Sequence, residues 1–368
     1  MKIAILGTRG IPNNYGGFEQ FAEYLSVILA QRGHNITVYN PHFHPYRKSD
    51  FKGVKIKRIY SPEKLLGAAA SNYIYDFFCL LDAIVSDYDI IYEAGYASCA
   101  YAVGILKFFK GKRIIVTNMD GMEWQRSKWN GIVKRMIKNA EAISVRNSDF
   151  LIADNMGIQK YFQDTYGVTA GLLPYGAEEV KQVEECFLSK YDLKANNYFL
   201  VIARIEPENN IEPIINASLK SNCKLPLIIV GGVTTPHANY LVQKFKNQNV
   251  QFIGGIYEKE ILDSLRFFSH CYLHGHSVGG TNPSLLEAMA ASCFIIAHAN
   301  DFNKSVLDED ACYFRDENEL ISIFNNLNTH LEKRKKWIAS NRNKIMEKYD
   351  WCKVTSLHEE FFKSILKN

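Results

Sequence analysis

Short runs of β-branched and apolar residues alternate along the chain with stretches whose apolar positions recur at helical spacing. This alternation is the pattern of βαβ units and parallel sheets. In the first half, Lys2–Leu6, Ile36–Tyr39, Ile56–Ile59, Ile90–Tyr92, Arg113–Val116 and Phe150–Ala153 read as strands. Between the first two, Phe18, Phe21, Ala22, Leu25, Ile28 and Leu29 share one face of a helix over Phe18–Gln31, with Gly33 placed to end it. The weakly charged stretch Gly67–Val85 contains Asn72, Asp76 and Asp82 and reads as a buried helix rather than a membrane span. The alternation restarts in the second half, with strands at Tyr198–Ile202, Leu225–Val230, Val250–Ile253, Cys271–Leu273 and Phe294–Ile296. Helices are expected there at Asn239–Lys246, Glu258–Phe268, Ser284–Ala291 and Glu317–Asn325, followed by a charged stretch, Leu331–Lys348, and an amphipathic one, Trp351–Leu366.

A chain of 368 residues exceeds one comfortable core. Leu173–Gly176 followed by Glu178–Glu185 reads as the hinge. The predicted fold class is therefore α/β: two tandem Rossmann-like, doubly wound parallel-sheet domains, 1–175 and 176–348, with residues 349–368 as a C-terminal helix. Such an arrangement predicts a cleft facing the carboxyl ends of both sheets.

Composition narrows the function classes. A net charge of +4 is too mild for a dedicated nucleic-acid binder. The eight cysteines form no Cys-x-x-Cys pair, so buried reduced thiols are expected rather than a zinc ribbon or redox pair. The N-terminal apolar run is too short for a secretory signal, and a cytoplasmic location is expected. Charge is uneven, however: residues 107–138 carry nine basic side chains against Asp120 and Glu123, interleaved with Phe108, Phe109, Trp124, Trp129 and Met136. That segment suits either a solvated face or peripheral contact with anionic lipid at the inner face of the membrane.

Three loops, each at the carboxyl end of a predicted strand, carry the candidate chemistry. The first runs Gly7-Thr8-Arg9-Gly10-Ile11-Pro12-Asn13-Asn14-Tyr15-Gly16-Gly17-Phe18-Glu19. Gly16 and Gly17 immediately precede a helix, whose N-terminus favours anions; the spacing is not that of a dinucleotide fingerprint. The second is Val278-Gly279-Gly280-Thr281-Asn282-Pro283-Ser284-Leu285-Leu286-Glu287, two glycines leading into a helix with proline at its first turn. The N–H groups of Asn282, Ser284 and Leu285 are expected to be open to a diphosphate, and Glu287, one turn on, to accept from ribose hydroxyls. The third begins at Arg204, whose guanidinium can hold phosphate oxygens in a bidentate manner. Tyr257, in the Gly254–Tyr257 turn, marks the expected nucleobase position.

Taken together these residues resemble glycosyltransferase family 4, the retaining, nucleotide-sugar-dependent enzymes of two-Rossmann (GT-B) architecture. The opening Gly-Thr-Arg-Gly-Ile-Pro-x-x-Tyr-Gly-Gly-Phe-Glu, Asn118–Trp124 and Gly280–Met289 are similar to a bacterial rhamnosyltransferase subfamily of polysaccharide assembly. The resemblance implies a hexosyltransferase that moves a sugar, rhamnose in that subfamily, from a nucleotide diphosphate sugar onto a lipid-linked or polysaccharide acceptor, with retention. The co-substrate implied is dTDP-rhamnose, or a UDP- or GDP-sugar, with no further cofactor, no assigned metal ligands and no nucleic-acid partner.

Carried over by position, Gly16 and Gly17 are the glycine loop near donor phosphate, and Asp120 stands beside the transferred sugar. Arg204 begins the phosphate clamp, and Glu287 is the second glutamate of a Glu-x7-Glu motif. Gly280, Thr281, Asn282, Ser284 and Leu285 fall to the donor as well, and Tyr15, Glu19, Glu123 and Trp124 to the acceptor. The C-terminal helix is expected to cross back onto the first domain. Two positions depart from the family pattern: Asn209 stands where the clamp lysine belongs, and Gly279 where the first glutamate belongs. His276 is then a candidate for a sugar hydroxyl or, protonated, for phosphate. These departures keep open a catalytically weakened sugar-nucleotide-binding partner subunit, and more remotely a sugar-nucleotide epimerase.

Overall fold

In the computed structural model, which describes residues 1–14 and 16–367, the apolar runs pair into two separate, essentially parallel sheets. The first compact unit holds β1 (Lys2–Leu6), α1 (Gly17–Gln31), β2 (Asn35–Pro41), β3 (Asp50–Phe51), β4 (Val54–Ile59), α2 (Glu63–Val85) and β5 (Ile90–Glu93). It continues with α3 (Ala100–Leu106), β6 (Ile114–Asn118), α4 (Gly131–Asn147), β7 (Phe150–Ala153), α5 (Met156–Tyr166) and β8 (Gly171–Leu172). The strand order is β3-β4-β2-β1-β5-β6-β7-β8, parallel except for the β3–β4 hairpin. Ile3, Ala4, Ile5 and Leu6 are wholly buried, as both faces of a parallel sheet require.

The second unit runs β9 (Phe199–Ile202), α6 (Ile211–Lys220), β10 (Leu227–Val230), α7 (Pro236–Lys244), β11 (Val250–Gly254), α8 (Lys259–Phe267) and β12 (Cys271–His274). After these come α9 (Pro283–Ala290), β13 (Ile295–His298), α10 (Asp301–Leu307), β14 (Cys312–Phe314), α11 (Glu317–Asn325) and α12 (Leu331–Lys344). Its six strands, all parallel, order as β11-β10-β9-β12-β13-β14 around an aliphatic and aromatic core that includes Val201, Ile214, Ile229, Leu273 and Phe314.

Each sheet reverses direction once: between β1 and β5 in the first unit, between β9 and β12 in the second. Loops part to opposite faces at such a point, leaving a crevice beyond the carboxyl ends of those strands.

The last helix, α13 (Trp351–Ile365), belongs to the first unit. Trp351 stacks on Tyr24 with ring centroids 4.7 Å apart, and Phe362 packs edge-on against Tyr92 at 6.0 Å. Arg32 and His34 both reach the carboxylate of Glu359, at 2.8 and 3.1 Å, and hydrogen bonds from Lys363 and Arg32 hold that carboxyl down at about 2.

One expectation needs correcting. Gly67–Val85 is not a buried helix: its inner side, with Tyr75, Cys79, Leu80 and Ala83, joins the sheet core, while Ile74, Phe78, Leu81 and Val85 are exposed. The sheet covers only one side of it.

Candidate functional site

The carboxyl ends of β9 and β12 are laced together by the polar residues that follow them. Asn209 Nδ2 donates to the Arg204 carbonyl at 2.7 Å and Asn210 Nδ2 to the Gly275 carbonyl at 2.8 Å. The Ser277 amide and hydroxyl both donate to the Glu208 carbonyl, at 3.0 and 2.8 Å. Gly275 is required for this approach, because a Cβ there would lie 2.1 Å from the Asn209 carbonyl oxygen. Asn300 and Asn303, at the start of α10, donate to the His276 carbonyl at 2.9 and 3.1 Å, tying in the end of β13. The loops after three adjacent strands thus form one hydrogen-bonded platform at the switch point, with the Arg204 side chain exposed upon it.

His276 sits in this platform and stacks on His274, their ring centroids 4.4 Å apart. His274 is wholly buried, neither ring nitrogen is hydrogen-bonded among the described residues, and burial pushes it down to about 3. Burial also lowers His276 well below the usual histidine range, reinforced by His274, Arg126 and Arg204. The expectation of a protonated His276 holding phosphate is therefore corrected: two cations and a low-dielectric setting keep it neutral. Among the described residues its buried Nδ1 has no hydrogen-bond partner. Asn209 is likewise turned into the protein, where its amide holds the loop rather than replacing a clamp lysine.

The α9 N-terminus also departs from expectation. Asn282 is the N-cap, and its Oδ1 accepts from both the Ser284 amide at 3.0 Å and the Ser284 hydroxyl at 2.8 Å. The Leu285 amide donates to the Asn282 carbonyl at 3.0 Å. Of the three amides expected to be open, two are thus satisfied by Asn282 itself, because asparagine is among the strongest N-caps. A pocket of about 10 Å³, room for about one water, lies among His276, Gly279, Gly280, Asn282, Asn300 and Asn303. Thr281 is buried beside it. Glu287, one turn on, is held by the fully buried guanidinium of Arg266 from α8, which also meets Asp263 at 3.3 Å. Tyr257 is exposed after β11, its ring folded over Gly255.

In the first unit the glycine loop after β1 is fixed by Asn40, which accepts from the Ile11 amide at 3.1 Å and donates to its carbonyl at 2.7 Å. Gly16 is the extended N-cap of α1, with no side-chain cap, and Gly17 begins the helix. Glu19, expected to face an acceptor, is buried; its carboxylate accepts from the Arg9 amide at 2.7 Å, and burial raises it above the ordinary range. Tyr15 lies outside the described residues.

Asp120 follows β6, its Oδ1 within 3.5 Å of where a Cβ on Gly95 would lie, next to the loop after β5. With Asp154 it raises the buried phenols of Tyr92 and Tyr175, whose largest perturbation is burial itself. Glu123 accepts from the Trp129 indole at 3.1 Å, and the Trp124 indole donates to Glu141 at 3.0 Å. Both expected acceptor residues are therefore tied by hydrogen bonds inside the unit.

Sequence reasoning missed Arg266, Glu93 and Asp154. Glu93 ends β5, is wholly buried with neither carboxylate oxygen hydrogen-bonded among the described residues, and is raised well above the ordinary range by burial and then by Asp76. An acidic residue closing an apolar strand was the available signal. The chain also holds two Asp-x-Asp triplets, Asp87/Asp89 and Asp308/Asp310, so the metal-bridging motif is not missing from its sequence. Both precede strands, at the ends opposite the switch points, and are engaged by Lys2 and by Lys344. Among the described residues no three His, Cys, Asp or Glu side chains group as metal ligands.

Residues 1–178 match a family described as a domain of unknown function (DUF1972), and residues 188–344 match Glycosyl transferases group 1. No curated protein sequence matches the chain. Among solved structures, a sucrose-phosphate synthase from Thermosynechococcus elongatus is similar at TM-score 0.82 and 15% identity, covering 100% of this chain and 99% of its own. Anabaena HepE, solved with UDP and glucose, is similar at TM-score 0.72 and 16% identity, covering 99% and 100%. A glycosyltransferase from Rickettsia africae follows at TM-score 0.70 and 13% identity, covering 100% and 99%. At such identities the likeness is one of fold: two parallel-sheet α/β domains, as in GT-B glycosyltransferases.

Proposed function

We propose that this chain is a retaining glycosyltransferase, moving a hexose from a nucleoside diphosphate sugar to a lipid-linked or polysaccharide acceptor. The observation that carries this reading is the exposed Arg204 guanidinium at the carboxyl end of β9, on the switch-point platform from which α9 and Glu287 follow. The match of residues 188–344 to Glycosyl transferases group 1 supports it, as does the UDP and glucose in the HepE crystal. Rhamnose carried on dTDP is the donor assigned from the sequence resemblance, with UDP- and GDP-sugars as the alternatives.

Breaking the anomeric C–O bond leaves negative charge on the departing diphosphate. Arg204 absorbs part of it through charge-assisted hydrogen bonds, and the positive end of the α9 dipole absorbs more. Neither needs a metal. The Ser284 amide becomes available when a phosphate oxygen replaces Asn282 Oδ1, one acceptor exchanged for another. Seating a diphosphate also requires the small pocket beside Asn282 to open. Glu287, aimed by Arg266, accepts from ribose hydroxyls. Neutral His276 offers Nδ1 to a sugar hydroxyl, and Asp120 in the first unit orients polar groups on the acceptor side.

A second reading has its own support: the inward-turned Asn209 leaves the clamp one cation short, which suits a sugar-nucleotide-binding partner subunit. One experiment separates the two. Incubation with dTDP-rhamnose, UDP-glucose and GDP-mannose should release nucleoside diphosphate from one donor and label an acceptor glycan. Nucleotide binding without turnover of any donor would overturn the enzyme reading in favour of the second, and an isomerised donor without acceptor would indicate an epimerase.

A further inference from the structure

The outer face of the first unit carries apolar side chains that none of the described residues of this unit covers. Helix α2 departs from helical geometry at Gly67 (φ 74°) and then runs regularly to Val85. Its inner side belongs to the core, whereas Ile74 and Phe78 project outward from successive turns. Helix α3 lies alongside, Tyr73 meeting Tyr101 with ring centroids 6.1 Å apart, and α4 comes next, where the Tyr101 hydroxyl donates to the Met136 carbonyl at 3.3 Å. These neighbours extend the patch with Ile105 and Met136, and the turn after α3 raises Phe108 and Phe109, 78% and 71% exposed, at its edge. Scattered exposed apolar side chains are ordinary, but contiguous ones on three adjacent helices mark an interaction surface.

Charge identifies what covers it. The three helices and the turn after α3, residues 63–85, 100–113 and 131–147, hold nine basic side chains against four acids, of which Asp76 and Glu141 are buried, Glu63 is paired with Arg9 and Asp82 with Lys57. Not every cation faces outward. Lys138, counted with the basic segment on sequence grounds, is engaged within the unit: it donates to Glu141 at 2.7 Å and lies 4.6 and 4.8 Å from the ring centroids of Trp124 and Tyr161. Lys110 is paired with Asp149 at 3.0 Å. Lys112 and Arg135 are exposed, and Lys107 lies half-buried against Phe108.

We propose that this face rests on an anionic lipid surface, with α2 lying in the interface plane rather than spanning it and Phe108 and Phe109 inserted among the headgroups. Long apolar helices can span a bilayer, but one side of α2 is built into the sheet core, so only the other is available to lipid. A second copy of the chain is a poor occupant, since pairing like faces would oppose basic residues with basic residues. Anionic headgroups match the charge, and each nearby Lys or Arg adds to the attraction.

The test needs no nucleotide and no turnover, so it stands or falls apart from the donor assignment. The full chain is floated with vesicles of phosphatidylcholine alone and with phosphatidylglycerol added. Binding is expected only to the anionic vesicles, weakening as salt rises. Phe108→Ser/Phe109→Ser and Lys112→Glu/Arg135→Glu change exposed side chains, circular dichroism checks that each variant is folded, and each should weaken binding about tenfold or more. Absence of binding to anionic vesicles, or equal binding by wild type and both variants, overturns the proposal. So does sedimentation of the wild type as a dimer that the Phe108→Ser/Phe109→Ser change converts to monomer, which would assign the face to a second copy.

Discussion

Glu287→Gln and Arg266→Met, made singly and together, separate the stability and binding roles that meet at Glu287. The Arg266 guanidinium is buried at 1% exposure, with Glu287 and Asp263 as its carboxylate partners. Glu287→Gln leaves that cation with one acid, a loss of about 3 kcal/mol, the low end for breaking a buried pair because Asp263 stays. Arg266→Met strands Asp263 and should cost about as much. For binding, a carboxylate accepting ribose hydroxyls contributes about 1.5–3 kcal/mol, so Glu287→Gln should raise Kd roughly ten- to hundredfold. Arg266 is too deeply buried to touch a nucleotide, yet without it Glu287 loses its aim, and Arg266→Met should raise Kd about tenfold by the same conversion. The double variant should bind little worse than Glu287→Gln alone, since both changes remove one aligned carboxylate. Calorimetric titration with UDP, GDP and dTDP reads the affinities. Urea unfolding reads stability, taken from the second unit's own transition because a two-unit chain need not unfold in one step. Wild-type affinity in Arg266→Met would refute the positioning argument, and unchanged affinity in Glu287→Gln would remove Glu287 from the ribose.

Arg204→Ala should cut sugar transfer by about 10²–10³, the scale for one lost charge-stabilising donor; a fall of less than tenfold in initial rates would exclude it from leaving-group stabilisation. Asn282→Ala removes the side chain that competes with phosphate for the Ser284 amide, so it should cost about 1 kcal/mol of stability while nucleotide affinity holds or rises; a large fall in affinity would make Asn282 a ligand in its own right. Burial raises Asp76 to about 6 from an ordinary value of 3.8, so the folded state resists its ionisation and stability falls as pH climbs through that window. Asp76→Asn should therefore be more stable than wild type by about 3 kcal/mol at pH 8, two units at 1.36 kcal/mol each. Denaturation at pH 8 and near pH 3 checks this, because the gain must vanish below the ordinary value of 3.8.

Period and punctuation in the sequence determined the local structure and where chemistry could stand. Alternating apolar runs specified parallel strands because a strand buried on both faces has to be apolar throughout, as Ile3–Leu6 is. Glycines and Arg204 at strand ends marked the loops that a doubly wound sheet exposes. The amphipathic stretch from Trp351 was readable as a helix, but not the stacking of that tryptophan on Tyr24. Partnership was decided only by tertiary structure. Glu19 and Glu123 are both charged loop-side residues in sequence, yet one is buried against the Arg9 amide and the other bonded to an indole. Glu287 and Arg266 are separated by 21 residues, and only the packing of α8 against α9 brings them together. Helix α2 is the sharpest case: its composition stated how apolar it is, but which side the sheet would cover depended on contacts from β1, β5 and α3. Periodicity is a property of neighbouring residues and survives in one dimension. Burial and pairing join residues distant along the chain, so they exist only once the sheets have formed.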